Sequence, residues 1–172
     1  MLSLAQVMAP AIELADGFPM YGMLHYTLEA NRENTERWEW GKRTYYPEGR
    51  IAEVGEMFRQ PNLAATLRAV VAAERAELEK GAGRETAIEA ARDAFYKGDI
   101  ARRIAAAVQA DGGLLTYEDL ATYRGTLEAP VSTRFQGHEI YKAGFWSQGP
   151  TLLMALNILE AAGQSNGARR EA

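Results

Sequence analysis

Hydrophobic periodicity changes once along this chain, and the change limits what it can fold into. From Pro61 to about Ala110 apolar residues recur at helical spacing. From Ala129 to Lys142 the spacing shortens, with Gln136-Gly137 dividing two short segments. Helices come first and strands late. That order predicts an α+β fold, mostly helical with a late β-hairpin.

Local signals mark the elements. Ser3 is placed to cap a helix through Ala15, with Gly17 as its stop and Pro10 interrupting it or starting a second segment. Met20 to Glu29 reads as a short helix. Asn31–Glu56, with Trp38, Trp40, Tyr45, Tyr46, Pro47 and Gly49, reads as extended segments joined by a turn. Pro61 suits the first turn of a helix whose apolar stripe is Leu63, Leu67, Val70, Val71, Arg75 and Leu78. Gly81–Gly83 breaks it, and Arg84–Tyr96 forms the next helix, its Arg84, Glu85, Glu89, Arg92 and Asp93 making a solvated face. Asp99 is expected to cap a third helix with Ile100, Ile104, Ala107 and Val108 inward, stopped by Asp111-Gly112-Gly113. Thr116 and Asp119 form a capping box for a helix Tyr117–Tyr123. Ala129–Phe135 and His138–Lys142 flank a hairpin turn. Ser147–Pro150 starts a final helix with Leu152, Leu153, Leu156 and Leu159 as its core face. One domain, or part of one, is expected over 1–162, and a frayed tail over 163–172.

Composition excludes several classes. With 172 residues the chain can bury a core. Its 19 basic and 23 acidic side chains give a net charge of −4, which disfavours nucleic acid as a partner. Zero cysteines remove disulfides, thiolate metal sites and thiol nucleophiles. No apolar run is long enough to span a bilayer, and the first residues carry no basic signal-peptide region.

Candidate chemistry is sparse. Two histidines cannot form the usual three-ligand catalytic zinc site, so no metal and no cofactor are expected. His25 reads as structural, and His138 as a solvent-facing strand residue whose neighbour Glu139 points the other way. Ser147 lacks the first glycine of a nucleophile elbow and reads as a helix cap. Asp111-Gly112-Gly113 is too short to cradle phosphate. Trp38 and Trp40 with Lys42 and Arg43 could stack on bases, but Glu36 and Glu39 favour a surface or interface cluster.

The ordered stretch FYKGDIARRIAAAVQADGGLLTYEDLATY, followed by GHEIYKAGFWSQGPTLLMALNILE, spans Phe95–Glu160. In length, order and punctuation it resembles the large subunit of the gamma-glutamyltranspeptidase family before its maturation site. PAIELADGFPMYGML, nearer the start, is more diffusely similar. The resemblance implies a fragment of an Ntn-hydrolase αββα sandwich, made as one precursor that cuts itself to expose a threonine. That threonine attacks a gamma-glutamyl or related amide and passes the acyl group to water or an amine. The resemblance further implies that the substrate-gripping arginine precedes Met1 and that the threonine and oxyanion glycines follow Ala172. Thr116, Thr126 and Thr151 are not in a maturation context, so no catalytic residue is assigned and the substrate-binding residues are unknown. The isolated chain is expected to be inactive, with the missing small subunit as its partner and exposed apolar surface where that subunit belongs. The bulky Phe145, Trp146 and Gln148 depart from the family's proline-rich, serine-bearing loop, which favours the family over glutathione as the particular substrate; beta-lactam side-chain amides stay open. Periplasmic, secreted and cytoplasmic locations are all compatible. The alternative reading is a non-catalytic helical interaction module using Trp38–Tyr46.

Overall fold

Ser3 opens the first helix, α1 (Leu4–Asp16), by a reciprocal capping box with Gln6. A computed structural model of the chain describes residues 2–170, and side chains through residue 163. Pro10 lies inside α1 and neither interrupts nor restarts it, a correction to the sequence expectation. Gly17, at φ 150°, ends α1; a Cβ there would lie 2.8 Å from the Arg59 guanidinium.

Two short strands that the sequence did not reveal follow from this turn. β1 (Phe18–Pro19) pairs antiparallel with β2 (Met57–Phe58). Between them lie α2 (Gly22–Ala30), α3 (Arg32–Glu36), α4 (Glu39–Tyr45) and a 3₁₀ turn, Pro47–Gly49. The expectation of extended segments over Asn31–Glu56 is therefore wrong. Local i,i+3 and i,i+4 contacts favour helix here: Arg32 pairs with Glu36 at 2.9 Å, Lys42 lies 3.8 Å from Glu39, and the Thr35 hydroxyl donates to the Asn31 carbonyl. Gly41 lets α3 and α4 meet, since a Cβ there would sit 2.2 Å from the Thr35 carbonyl oxygen. The aromatics pack as a cluster rather than a pleated face. Met20, Leu28, Tyr46, Ile51 and Phe58 are buried together, with Tyr45 stacked on Phe58 at 6.0 Å. The buried Tyr46 hydroxyl is satisfied by donating to the Leu28 carbonyl at 2.8 Å.

The next helices are α5 (Pro61–Glu79), α6 (Arg84–Tyr96), α7 (Asp99–Ala110) and α8 (Tyr117–Thr122). Their limits follow the proline and glycine punctuation closely. Their buried seam follows the expected apolar stripes only in part: Ile100 is buried and Leu67, Val70, Val71, Ile104 and Val108 are half-buried, but Ala107 is exposed and most of the fully buried positions are small. Ala64, Ala87, Ala91, Ala101 and Ala105 are buried, while Leu63 and Leu78 are exposed. Pairs of alanines four apart, Ala87 with Ala91 and Ala101 with Ala105, let helices approach closely on one face. α7 is capped by Gly98, not Asp99, which is the first helical residue. Gly98 is required there because a Cβ would lie 2.4 Å from the Ala94 carbonyl oxygen. Nor is the α6 charged face wholly solvated: Arg92 lies over the Tyr96 ring at 4.8 Å and donates to the Tyr123 carbonyl.

The chain divides into two compact units, Met1–Tyr123 and Arg124–Ala172. In the second, β3 (Val131–Phe135) and β4 (His138–Lys142) form the expected hairpin, with Phe135 opposite His138. Gln136 (φ 48°) and Gly137 (φ 82°) both adopt the left-handed turn conformation. α9 (Gly149–Arg170) packs on this hairpin. The Thr133 hydroxyl meets Asn157 and the Gln136 amide donates to Glu160 at 3.0 Å. Leu153 is buried, but Leu152 and Leu159 are exposed, so the expected four-leucine core face is not formed. The helix backbone continues through Arg170; the tail expected to fray falls mostly on residues outside the described side chains.

Candidate functional site

The loop Ala143–Gln148 joins β4 to α9, and its geometry follows from close backbone approach. Gly149 is buried, and a Cβ on it would lie 2.1 Å from the Ala143 carbonyl oxygen. Ser147 serves this turn. Its hydroxyl lies 3.2 Å and 3.0 Å from the Ala143 and Gly144 carbonyls as donor, and accepts the Gly149 amide at 3.0 Å. A serine nucleophile needs a base to take its proton. Here the partners of the hydroxyl are backbone groups of its own loop. The loop's aromatics face outward: Phe145 is 90% exposed and Trp146 74%, the latter donating its indole N–H to Glu128 at 2.8 Å.

The other candidates take structural positions. His25 Nδ1 lies 3.0 Å from the Ala52 carbonyl oxygen, holding α2 to the segment before β2. His138 is exposed at the start of β4, across the strand pair from Phe135. The Thr116 hydroxyl donates to Asp119 at 2.7 Å and accepts the Asp119 amide at 3.2 Å, completing the expected capping box. Those bonds to Thr116 hold the Asp119 carboxyl below its usual pKa. Thr126 lies outside regular structure and Thr151 in the first turn of α9. Trp38 and Trp40 are exposed, in keeping with a surface cluster. Among the described residues no three histidine or acidic side chains form a metal-binding group, and no helix is long and apolar enough to cross a membrane.

Two features escaped the sequence reading. Glu74 is buried at 2% exposure, both carboxylate oxygens 3.0 Å from the Leu4 amide at the start of α1. Its position on an apolar helix face was a local signal. Its partner, 70 residues away, was not. Arg59 lies beside α1 and donates to the Asp16 carbonyl at 3.2 Å. The Asp16 carboxylate is engaged by Arg68, which lowers its pKa.

The chain thus comprises a helical unit, Met1–Tyr123, and a hairpin-plus-helix unit, Arg124–Ala172. The family model for gamma-glutamyltranspeptidase matches residues 1–171. A glutathione hydrolase-like YwrD proenzyme of Bacillus subtilis is 36% identical over 92% of the chain, and a glutathione hydrolase proenzyme of Escherichia coli 33% identical over 92%. The matched region is 27% and 25% of those two proteins. The crystal structure of Helicobacter pylori gamma-glutamyltranspeptidase superposes with a TM-score of 0.73 at 27% identity, covering 94% of this chain and 42% of that one. The chain belongs to the gamma-glutamyltranspeptidase family. It spans about a quarter of the length of the curated relatives it matches.

Proposed function

We propose that the chain is large-subunit scaffold of a gamma-glutamyl hydrolase or transferase whose threonine nucleophile is carried by another part of the precursor. The observation that carries this reading is the family match across residues 1–171 against relatives that are proenzymes about four times its length. Two local features support it. The Ser147 hydroxyl is committed to its own loop. Several large apolar side chains of the second unit, among them Phe145, Met154 and Ile158, lie open to solvent, as suits a segment that packs against more protein.

In the complete enzyme the threonine hydroxyl attacks the amide carbonyl carbon of a gamma-glutamyl or related substrate. Its α-amine takes the hydroxyl proton, and oriented backbone amides hold the oxyanion. The C–N bond then breaks and the amine leaves with that proton. Water or an acceptor amine attacks the resulting ester and restores the threonine.

Hydrolysis of gamma-glutamyl-p-nitroanilide tests the proposal. The purified chain should show no turnover. The complete precursor should show turnover that survives Ser147→Ala and is lost when its small-subunit threonine is replaced. Turnover by the isolated chain that disappears on Ser147→Ala would overturn the reading.

A further inference from the structure

The first unit contains a cleft of about 330 Å³ that the proposed reaction does not use. One wall comes from α4, where Trp40, Arg43 and Thr44 share a face through i,i+3 and i,i+4 spacing. The other comes from the turn into α5, which supplies Arg59, Gln60 and Asn62, with Pro61 and Leu63 between them.

The chemistry of this lining is one-sided. Two arginines line the cleft and no lining residue is acidic, although the chain as a whole carries a net charge of −4. Neither arginine is neutralised by a described ion pair. Arg59 donates one N–H to the Asp16 carbonyl; its charge also acts on the Asp16 carboxylate, but that carboxylate's hydrogen bonds go to Arg68. The neighbouring cation Lys42 is paired instead with Glu39 at 3.8 Å. Arginine presents planar, forked donors that match the two oxygens of a carboxylate or phosphate. Trp40, 53% exposed, adds a flat apolar face, and Pro61 and Leu63 add apolar contact. The volume lies in the range of small-ligand sites.

We propose that this cleft binds a small organic oxyanion, its carboxylate or phosphate head held by Arg43 and Arg59 and its flat body against Trp40. This inference does not depend on the proposed catalytic role.

The full chain carrying Trp38→Phe and Trp146→Phe retains Trp40 as its tryptophan reporter. It is titrated, with fluorescence readout, against phenyl phosphate, phenylacetate, inorganic phosphate and neutral benzyl alcohol. Saturable binding of phenyl phosphate or phenylacetate with a dissociation constant below about 1 mM is expected, stronger than that of inorganic phosphate. The better of the two aryl anions identifies the head group. Arg43→Gln should weaken binding about tenfold, the loss of one charge-assisted pair. Thr44→Glu, which places a negative charge in the cleft, should weaken it independently. Thermal unfolding of each variant confirms that it is folded. Equal binding of benzyl alcohol, no saturable signal from either aryl anion, or affinities unchanged in both folded variants would overturn the proposal.

Discussion

Replacing Glu74 tests whether a long-range carboxylate holds α1 in place. Glu74 is buried and has no described cation partner; its carboxylate receives the Leu4 amide at 3.0 Å to each oxygen. Leu4 is the first residue of α1, where the helix dipole is positive and the amides lack intrahelical acceptors. A hydrogen bond to a charged group contributes about 1.5–3 kcal/mol, and a partly buried charge at a helix N-terminus up to about 2 kcal/mol. These figures describe overlapping parts of one interaction and are not summed. Burial of the carboxylate opposes them. The structure favours the attractive side because both oxygens converge on the amide and no buried side-chain polar atom lacks a partner among the described residues. Glu74→Ala should therefore destabilise the chain by about 2 kcal/mol. Glu74→Gln, which keeps the volume and one acceptor oxygen, should cost about 1 kcal/mol. Urea unfolding followed by far-ultraviolet circular dichroism measures both, and hydrogen exchange should show the loss concentrated in α1. If Glu74→Gln is as stable as the parent or more so, desolvation outweighs capping and the reasoning fails.

Two further outcomes follow from the loops and caps. Gly149→Ala should destabilise the hairpin-helix unit by about 2 kcal/mol, because the new methyl would meet the Ala143 carbonyl oxygen at 2.1 Å; Gly163→Ala, with nothing within 4 Å, should instead stabilise α9 by about 0.5–1 kcal/mol. Thermal melts of opposite sign support this, and equal shifts would refute it. Asp119 has a folded pKa below its ordinary value, so the folded state binds its proton more weakly than the unfolded state. Its contribution is complete above the ordinary aspartate pKa of about 4 and is lost as pH falls through the lowered value. Asp119→Asn should flatten the acid limb of stability, and an unchanged limb would show that the capping box does not act this way.

Local interactions were written plainly in the sequence. Ser3, Pro61, Thr116 with Asp119, and the glycine stops act over one helical turn, and the structure places helix limits beside them. Gln136-Gly137 likewise marked the hairpin. The ordered punctuation of Phe95–Glu160 carried the family as well. At the candidate site, Ser147 read as a helix cap; it bonds its own loop and accepts the Gly149 amide, two residues on, where α9 begins. The cleft between α4 and the α5 turn was not legible, because Arg43 and Arg59 become neighbours only through folding.

Tertiary contacts decided the rest. β1 meets β2 across the intervening helices, and Glu74 reaches Leu4 from 70 residues away. Aromatic spacing suggested strands over Asn31–Glu56, whereas burial around Met20, Tyr46 and Phe58 favoured packed helices. Small alanines formed the helical seam in place of Leu63 and Leu78, because interhelical distance is set by what must fit between two backbones. The sequence by itself determined the limits of the longer helices and of the late hairpin, and the family, since those signals act over a few residues. Which faces are buried and which side chains meet depended on partners distant in the chain, and only the folded packing brought them together.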